Sequence, residues 1–330
     1  MNQPLVDQIA NAVLYEGYLL YPYRPSVKNR RRWTFGGLYP RSYSEAGEGT
    51  EPWRMRTECL VAAEAAEGAC PALGVRARFL HLQERRKTRP PFHPDDAEAW
   101  QEAVEREVDA EPCDLAALIN EPRTRAFSFP ARREQGPGDG PEVVVRRQEA
   151  IAGAVEVSAA RVEADLYRVT VEIRNESPYA FDPAGADRSS RDEALLHSLV
   201  STHAILTVRG GAFVSLLDPP GPWREAAAGC RNVGSWPVLV GAAGERDTML
   251  SSPIILYDYP RIAPESQGDL FDSTEIDEIL TLRILTLTDA EKQAMAGIDD
   301  RARALLERTE SLAREQLMGL HGTCRSLKPV

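Results

Sequence analysis

Residues 251–289, SSPIILYDYPRIAPESQGDLFDSTEIDEILTLRILTLTD, combine apolar runs with eight acidic residues. Residues 253–257 are bulky β-formers between Pro253 and Pro260, a pattern that predicts a short buried strand. Pro260 and Pro264 are incompatible with a helix, so residues 258–268 are expected to form a fixed, largely extended loop. The stretch therefore predicts a core strand followed by a rigid loop.

A helix start is predicted directly after this loop, because Asp272 and Glu275 have the spacing of a capping box. Thr288 and Glu291 repeat that spacing and predict a second helix start. The acidic residues gathered at the first start are Asp269, Asp272, Glu275, Asp277 and Glu278. They either complement the positive helix N-terminus and stay solvated, or bind a hard cation or a basic partner. No EF-hand spacing supports calcium.

Outward from this stretch, most of the chain alternates apolar and polar residues as strands do. Residues 166–174, LYRVTVEIR, are the clearest case, with one apolar and one polar face. Residues 54–63 and 73–85 predict a hairpin, and residues 203–208 and 213–217 predict another around Gly210 and Gly211. Helices are predicted over residues 5–20, 95–109 and 290–320, the last with a break near Gly297.

The 24 prolines and 23 glycines imply many turns and few long helices. We therefore predict an α+β fold, with an antiparallel β-sandwich-rich core, peripheral helices and a C-terminal helical segment. Residues 1–330 are expected to form a single large domain. Its predicted subdivision is an N-terminal α/β part (1–135), a β-rich part (141–288) and the helical segment (289–330).

Composition narrows the compartment and the class of partner. The net charge of −11 disfavours duplex DNA and anionic membranes, which are themselves negative. No apolar run reaches the ~20 residues of a membrane span, and no signal-peptide pattern is expected at the N-terminus. Five widely spaced cysteines favour reduced thiols. The sequence predicts a cytoplasmic protein.

The standard catalytic and phosphate-binding motifs are missing, so the catalytic residues stay unknown and no cofactor is predicted. Other arrangements remain open. One possible metal site combines His197 and His203 with a carboxylate from Asp218 or Asp258. A possible catalytic dyad is formed by Cys230 and His203. The thiols of Cys59 and Cys70 are a third pair, at a spacing without specific meaning.

Residues 28–37, KNRRRWTFGG, place four cations beside two aromatic residues. A stacking platform for single-stranded RNA has this composition, and Arg30 to Phe35 would form it. The alternative is a core strand whose arginines pair with the protein's own carboxylates. The cluster is short in an acidic chain, which favours the second explanation.

Two segments, LYEGYLLYPYRPSVKNRRRWTFGGLYP and SSPIILYDYPRIAPESQGDLFDSTEIDEILTLRILTLTDAEK, together with HAILTVRGGAFVSLLDPP, resemble a bacterial protein family associated with gene clusters for NiFe-hydrogenases. The likeness covers about a third of the chain. It implies an accessory or assembly role around a metalloenzyme, and it assigns no catalytic residue.

The favoured hypothesis is a non-catalytic accessory protein that binds a protein partner, such as a metalloenzyme subunit, through the loop and the acidic helix start. Interfaces favour tyrosine and arginine, and the predicted contact residues are Tyr257, Asp258, Tyr259, Arg261, Asp269, Asp272 and Glu275. The alternative is a metal-dependent enzyme or metal carrier with the ligands Asp258, Asp269, Asp272, Glu275 and His203. An RNA-binding module is the second alternative.

Overall fold

The computed structural model describes residues 3–19, 36–47, 49–64, 70–88, 98–137, 143–185, 190–261, 284–296 and 300–311. The chain divides into two compact units. Unit 1 comprises Met1–Val6 and Trp33–Tyr259, and unit 2 comprises Asp7–Arg32 and Pro260–Val330. The partition predicted at residues 135, 141 and 288 stays a prediction.

Strands dominate unit 1. They are β1 (Arg54–Ala63), β2 (Ala72–Thr88), β3 (Glu98–Asp114), β4 (Arg123–Phe129), β5 (Arg132–Pro137), β6 (Val143–Gln148), β7 (Ile151–Arg161), β8 (Leu166–Asn175), β9 (Val200–Arg209), β10 (Gly211–Val214), β11 (Trp236–Leu239) and β12 (Thr248–Ser252). The helices of the described chain are α1 (Gln3–Leu19), α2 (Arg41–Ala46), α3 (Leu115–Asn120), α4 (Ser190–Leu196), α5 (Arg224–Ala228), α6 (Asp289–Ala296) and α7 (Asp300–Ser311). None of these helices combines the length and apolarity needed to cross a bilayer.

The strands form two antiparallel sheets. One has the order β10-β1-β8-β7-β4. The other has the order β11-β12-β9-β2-β6-β5, with β3 along the remaining edge of β2. The long strand β2 pairs with β9 through residues 72–80 and with β6 through residues 84–88, so both strands share one of its edges.

A single core lies between the two sheets. Successive residues of a strand point to opposite faces, so every second side chain enters the core. Cys59, Val169 and Val155 enter it from the five-stranded sheet, and Phe79 and Leu206 from the seven-stranded sheet; all five are fully buried. The predicted α+β fold with an antiparallel sandwich is confirmed.

Both predicted hairpins are wrong, although their strands exist. β1 pairs with β8 and β10, whereas β2 belongs to the other sheet. Similarly, the chain bends at Gly210, where φ is 70°, but β10 pairs with β1 in the other sheet rather than with β9. Alternation identified the strands but carried no information about their partners.

The helix predicted over residues 95–109 is also wrong, because residues 98–109, the part of it that the structure describes, belong to β3. β3 pairs with β2 from Ala72↔Asp114 to Lys87↔Glu98. The long ladder and the burial of Val108 toward the core outweigh the helical preference of the glutamates.

Two helices of unit 2 follow the predicted capping box. The Thr288 backbone N–H donates to Glu291 Oε2 at 2.8 Å, and the Glu291 N–H donates to Thr288 Oγ1 at 3.4 Å. α6 and α7 pack against each other, and Lys292 Nζ lies 3.0 Å from Glu310 Oε1 between them. The predicted C-terminal helices are confirmed as far as Ser311.

Candidate functional site

The strand predicted over residues 253–257 is wrong. β12 ends at Ser252, which is opposite Trp236 of β11. Pro253 has no N–H to continue the ladder, and the Ser252 hydroxyl instead donates to the Ile254 carbonyl at 2.8 Å. Residues 253–259 therefore leave the sheet as an irregular stretch, which we call the display segment.

Two residues at the end of the display segment fasten it to the sandwich. Asp258 accepts hydrogen bonds from the Ser215 hydroxyl at 2.5 Å and from the Leu239 backbone N–H at 2.8 Å. The Tyr259 N–H donates to the Leu239 carbonyl at 2.7 Å, and its hydroxyl donates to the Glu245 carbonyl at 3.0 Å. Tyr259 has φ of 57°, a left-handed conformation that these contacts hold in place.

The other end of the segment is fixed by close packing. A Cβ atom on Gly36 would lie 2.4 Å from Pro253 Cγ, which is a steric clash. The positive φ of 56° also favours glycine at this position. The Thr202 N–H donates to the Gly36 carbonyl at 3.0 Å, which joins this contact to β9. The display segment is thus held at both ends.

Between these attachments, two large side chains project into solvent. Ile255 is 72% exposed and Tyr257 is 80% exposed, whereas Leu256 between them is buried. Successive side chains of this segment therefore alternate: Leu256 is buried, and Ile255 and Tyr257 are exposed. Tyr257 is thus exposed, and its role as a partner contact stays a prediction.

The remaining predicted contact residues differ in their positions. Asp258 is turned inward onto Ser215 and Leu239, rather than outward for a partner. Tyr259 is also largely engaged within the protein, while Arg261 is exposed. Asp269, Asp272 and Glu275 lie outside the described residues, as does the predicted RNA platform from Arg30 to Phe35.

His203, a predicted metal ligand, is fully buried in β9. A carbonyl only accepts, so His203 Nδ1–H must donate to the Ser201 carbonyl, 3.0 Å away. Burial lowers the pKa of His203 to about 4, which keeps the imidazole neutral. Within the described part of the chain, no three His, Cys, Asp or Glu side chains come together to hold a metal.

The other predicted constellations are only partly assembled. Asp258 contacts the Ser215 hydroxyl through its carboxylate, whereas Asp218 contacts the same hydroxyl only through its backbone N–H, at 2.9 Å, so this contact does not join the two carboxylates. His197 instead contacts the Tyr179 ring, with centroids 4.7 Å apart. Cys230 packs against the five-stranded sheet, whereas His203 lies in the other sheet, so the structure does not form that dyad.

Cys59 and Cys70 are both free thiols, and they lie in different environments. Cys59 is fully buried in β1, and burial raises the pKa of its thiol. Cys70 Sγ accepts the Ala116 N–H at 3.3 Å near the start of α3. No described contact joins the two thiols.

An aromatic cavity of about 410 Å³ was not predicted from the sequence. Its lining includes Tyr43, Ser44, Thr50, Glu51, Phe181 and Pro183. Tyr43 stacks on Tyr39 at 5.4 Å between ring centroids and meets Phe181 edge-on at 4.9 Å. The paired tyrosines are four residues apart at the start of α2, but Phe181 comes from a distant part of the chain.

A partly buried ion pair supports one wall of this cavity. Arg191 Nε donates to Glu51 Oε1 at 2.8 Å, and Arg191 Nη2 donates to the Tyr39 hydroxyl at 2.5 Å. Burial, together with the negative charge of Glu51, raises the pKa of Tyr43. Burial also raises the pKa of Tyr39, so both tyrosines are neutral, and Glu51 is already engaged within the protein.

The described chain is thus an α+β protein with a two-sheet antiparallel sandwich and a fastened display segment. No protein-family model matches the chain, and comparison with curated proteins finds no match. The functional argument therefore depends on the geometry of the chain itself.

Proposed function

We propose that the chain is a cytoplasmic accessory protein that binds a protein partner through its display segment. One observation carries the proposal: Ile255 and Tyr257 are 72% and 80% exposed in a segment whose two ends are fastened. An isolated exposed apolar residue is ordinary in soluble proteins. Two large exposed side chains only two positions apart on a fixed backbone favour an interface.

The fastening matters because ordering a loop on binding costs free energy. Pro253 against Gly36 and Asp258 against Ser215 already restrict the backbone before any partner arrives. Tyrosine supplies a large contact area with only two side-chain torsions to restrict. A partner would therefore gain the burial of Tyr257 and Ile255 with little loss of conformational entropy.

The class of partner comes from the resemblance to a family associated with NiFe-hydrogenase gene clusters. On that basis we propose a metalloenzyme subunit as the partner and an accessory or assembly role for the chain. The net charge of −11 is consistent with a protein partner rather than duplex DNA. The proposal requires no chemistry from the chain itself.

Co-purification from native cells tests this proposal, with NiFe-hydrogenase subunits quantified by mass spectrometry. The variant Ile255→Ser/Tyr257→Ser removes both exposed side chains. We expect recovery of those subunits to fall about 30-fold, because truncating an interface anchor typically costs about 2 kcal/mol.

A matched control is Ile119→Ser/Val162→Ser, which removes two exposed apolar side chains from other elements. It should recover the subunits as the wild type does. The proposal is wrong if the wild type recovers no hydrogenase subunit, or if the display-segment variant recovers them undiminished.

A further inference from the structure

The two sheets each end in a strand with one open side. β4 pairs with β7 and β5 pairs with β6, and among the described residues neither strand has a partner on its other side. Only Pro130 and Ala131 separate β4 from β5 along the chain. Every second N–H and C=O of an edge strand points away from its neighbour and can pair with an added strand.

Four exposed arginines occupy these two strands: Arg123 and Arg125 on β4, and Arg132 and Arg133 on β5. We call this surface the arginine edge. Arg123 lies 3.6 Å from the exposed Glu121, and the exposed Glu134 follows Arg133. Arg125, Arg132 and Arg133 have no ion pair with any described carboxylate. The arginine edge is therefore a surface of net positive charge.

Two arginines on other strands show what neutralisation by neighbouring carboxylates looks like in this protein. Arg174 lies within 3.2 Å of Glu156, Glu172 and Glu176 on the outer face of the five-stranded sheet. Arg147 likewise contacts Glu84, Glu149 and Glu193. An acidic chain has enough carboxylates to pair every arginine. Arg125, Arg132 and Arg133 have no such contacts with described carboxylates, and they lie together on two edge strands that are consecutive in the chain.

A fifth arginine adds to the charge where β4 meets β5. The Arg106 guanidinium lies 4.6 Å from the centroid of the Phe129 ring, and its Nη2 donates to Gln148 Oε1 at 3.1 Å. Partial burial, and then the positive charge of Arg132, lower the pKa of Arg106. Arg106 and Arg132 are near enough to repel each other, which an incoming carboxylate would relieve.

We propose that the arginine edge binds an extended acidic segment of a partner protein, which adds as a further strand to β4. The backbone of the segment would pair with the open side of β4, and its carboxylates would pair with the guanidinium groups. This is strand addition, in which main-chain hydrogen bonds provide affinity and side chains provide selectivity.

The spacing of the arginines agrees with this kind of ligand. Arg123 and Arg125 are opposite Val157 and Val155 of β7, so both project from the same face of the sheet. Residues two apart in a strand are separated by about 6.6 Å. A segment with acidic residues at every second position would place its carboxylates at the same interval, each within reach of a bidentate guanidinium.

The test is fluorescence anisotropy of the full chain with a labelled peptide of about ten residues that alternates Glu and Thr, at about 150 mM salt. A second peptide replaces each Thr with Pro, which preserves the charge but removes the N–H groups that a strand needs. We expect the first peptide to bind and the second to bind at least about tenfold more weakly.

The variant Arg123→Gln/Arg125→Gln should weaken binding of the first peptide about tenfold. Arg209→Gln/Arg224→Gln is the matched control, since it removes two exposed arginines from other elements, and it should bind as the wild type does. All four residues are exposed, and thermal unfolding would verify that both variants fold.

Three results would overturn the proposal. Equal binding of the two peptides would show that charge alone acts, without strand addition. Absence of binding would leave the arginines as a device that keeps edge strands from aggregating. Tighter binding of a single-stranded oligonucleotide of about ten nucleotides, lost in the same variant, would assign the surface to nucleic acid.

Discussion

Two fully buried histidines, His81 and His203, are expected to make the stability of the protein depend on pH. His81 Nε2–H donates to the Glu149 carbonyl at 2.9 Å, as His203 Nδ1–H does to Ser201. Burial lowers the pKa of each imidazole from 6.5 to about 4. Between these values the unfolded chain binds protons that the folded protein does not, so stability falls as the pH falls.

Each histidine should therefore contribute a loss of about 3 kcal/mol between pH 6.5 and 4, and no loss above that range. Urea unfolding at a series of pH values measures it. His81→Gln and His203→Gln each retain an N–H donor but do not titrate, so both should show a shallower decline. Unchanged pH profiles in these variants would contradict the assignment.

Asp258 has a structural role, because it fastens one end of the display segment to the sandwich. Its carboxylate accepts from Ser215 and Leu239, and both donors lose their partner in Asp258→Ala. We expect this variant to lose about 2 kcal/mol of unfolding free energy, since hydrogen bonds to charged groups contribute about that much. Asp258→Asn retains one acceptor and should lose less.

The measurement for Asp258 is the free energy of unfolding in urea, followed by the co-purification described above. An Asp258→Ala variant as stable as the wild type would show that the display segment is held by other contacts. The sequence singled out Asp258 but predicted an outward carboxylate. Its donors come from residues 43 and 19 positions away, which no local pattern reveals.

Secondary-structure elements were more predictable than single-residue roles. The alternating sequence of β8 and the capping box before α6 were both predicted correctly, because each pattern involves only residues close together in the sequence. β3 was mistaken for a surface helix because it is rich in glutamate and alanine, which favour helices. Its alternation of Val104, Arg106, Val108 and Ala110 with acidic residues was the signal that would have identified the strand.

The pairing of β4 with β7 depends on a glycine. A Cβ on Gly153 would lie 2.5 Å from Phe127 Cζ and 2.4 Å from the Arg174 carbonyl oxygen. Phe127 is directly opposite Gly153, and its ring occupies the space where a side chain would be. Gly153→Ala should therefore displace β4 or the ring, at a cost of about 3 kcal/mol.

Thermal and urea unfolding of Gly153→Ala would measure that cost. Gly136→Ala is a suitable control, because a Cβ at this position in the exposed strand β5 meets no atom within 4 Å. The two substitutions should differ by more than the intrinsic glycine-to-alanine effect of about 1 kcal/mol. Equal effects would mean that β4 adjusts without strain.

The molecule as a whole was predictable in class but not in connectivity. Consecutive strands repeatedly belong to different sheets: β1 precedes β2 and β3 in the other sheet, and β9 precedes β10 in the first. Hydrophobic periodicity determines which face of a strand is buried. It does not determine the sheet, because the apolar face of a strand would be buried equally well in either sheet. The partners are selected by packing across the whole core, which is not a local property.

Cys59 allows a test of whether that core behaves as one unit. Its thiol is fully buried among side chains from both sheets, so a thiol reagent reaches it only when the sandwich opens. With serine at the other four cysteine positions, we expect labelling at least about 10³-fold slower than in the unfolded chain. A variant that retains only the half-buried Cys230 should label faster.

The decisive comparison introduces Phe79→Leu, a change in the seven-stranded sheet, into the chain with Cys59 as its single cysteine. If the two sheets unfold together, the substitution should accelerate labelling of Cys59 in the other sheet about tenfold, matching a loss of about 1.4 kcal/mol in global stability. If the five-stranded sheet opens by itself, the labelling rate will not change although the global stability falls. That result would separate the two sheets into independent cooperative units, despite the core they share.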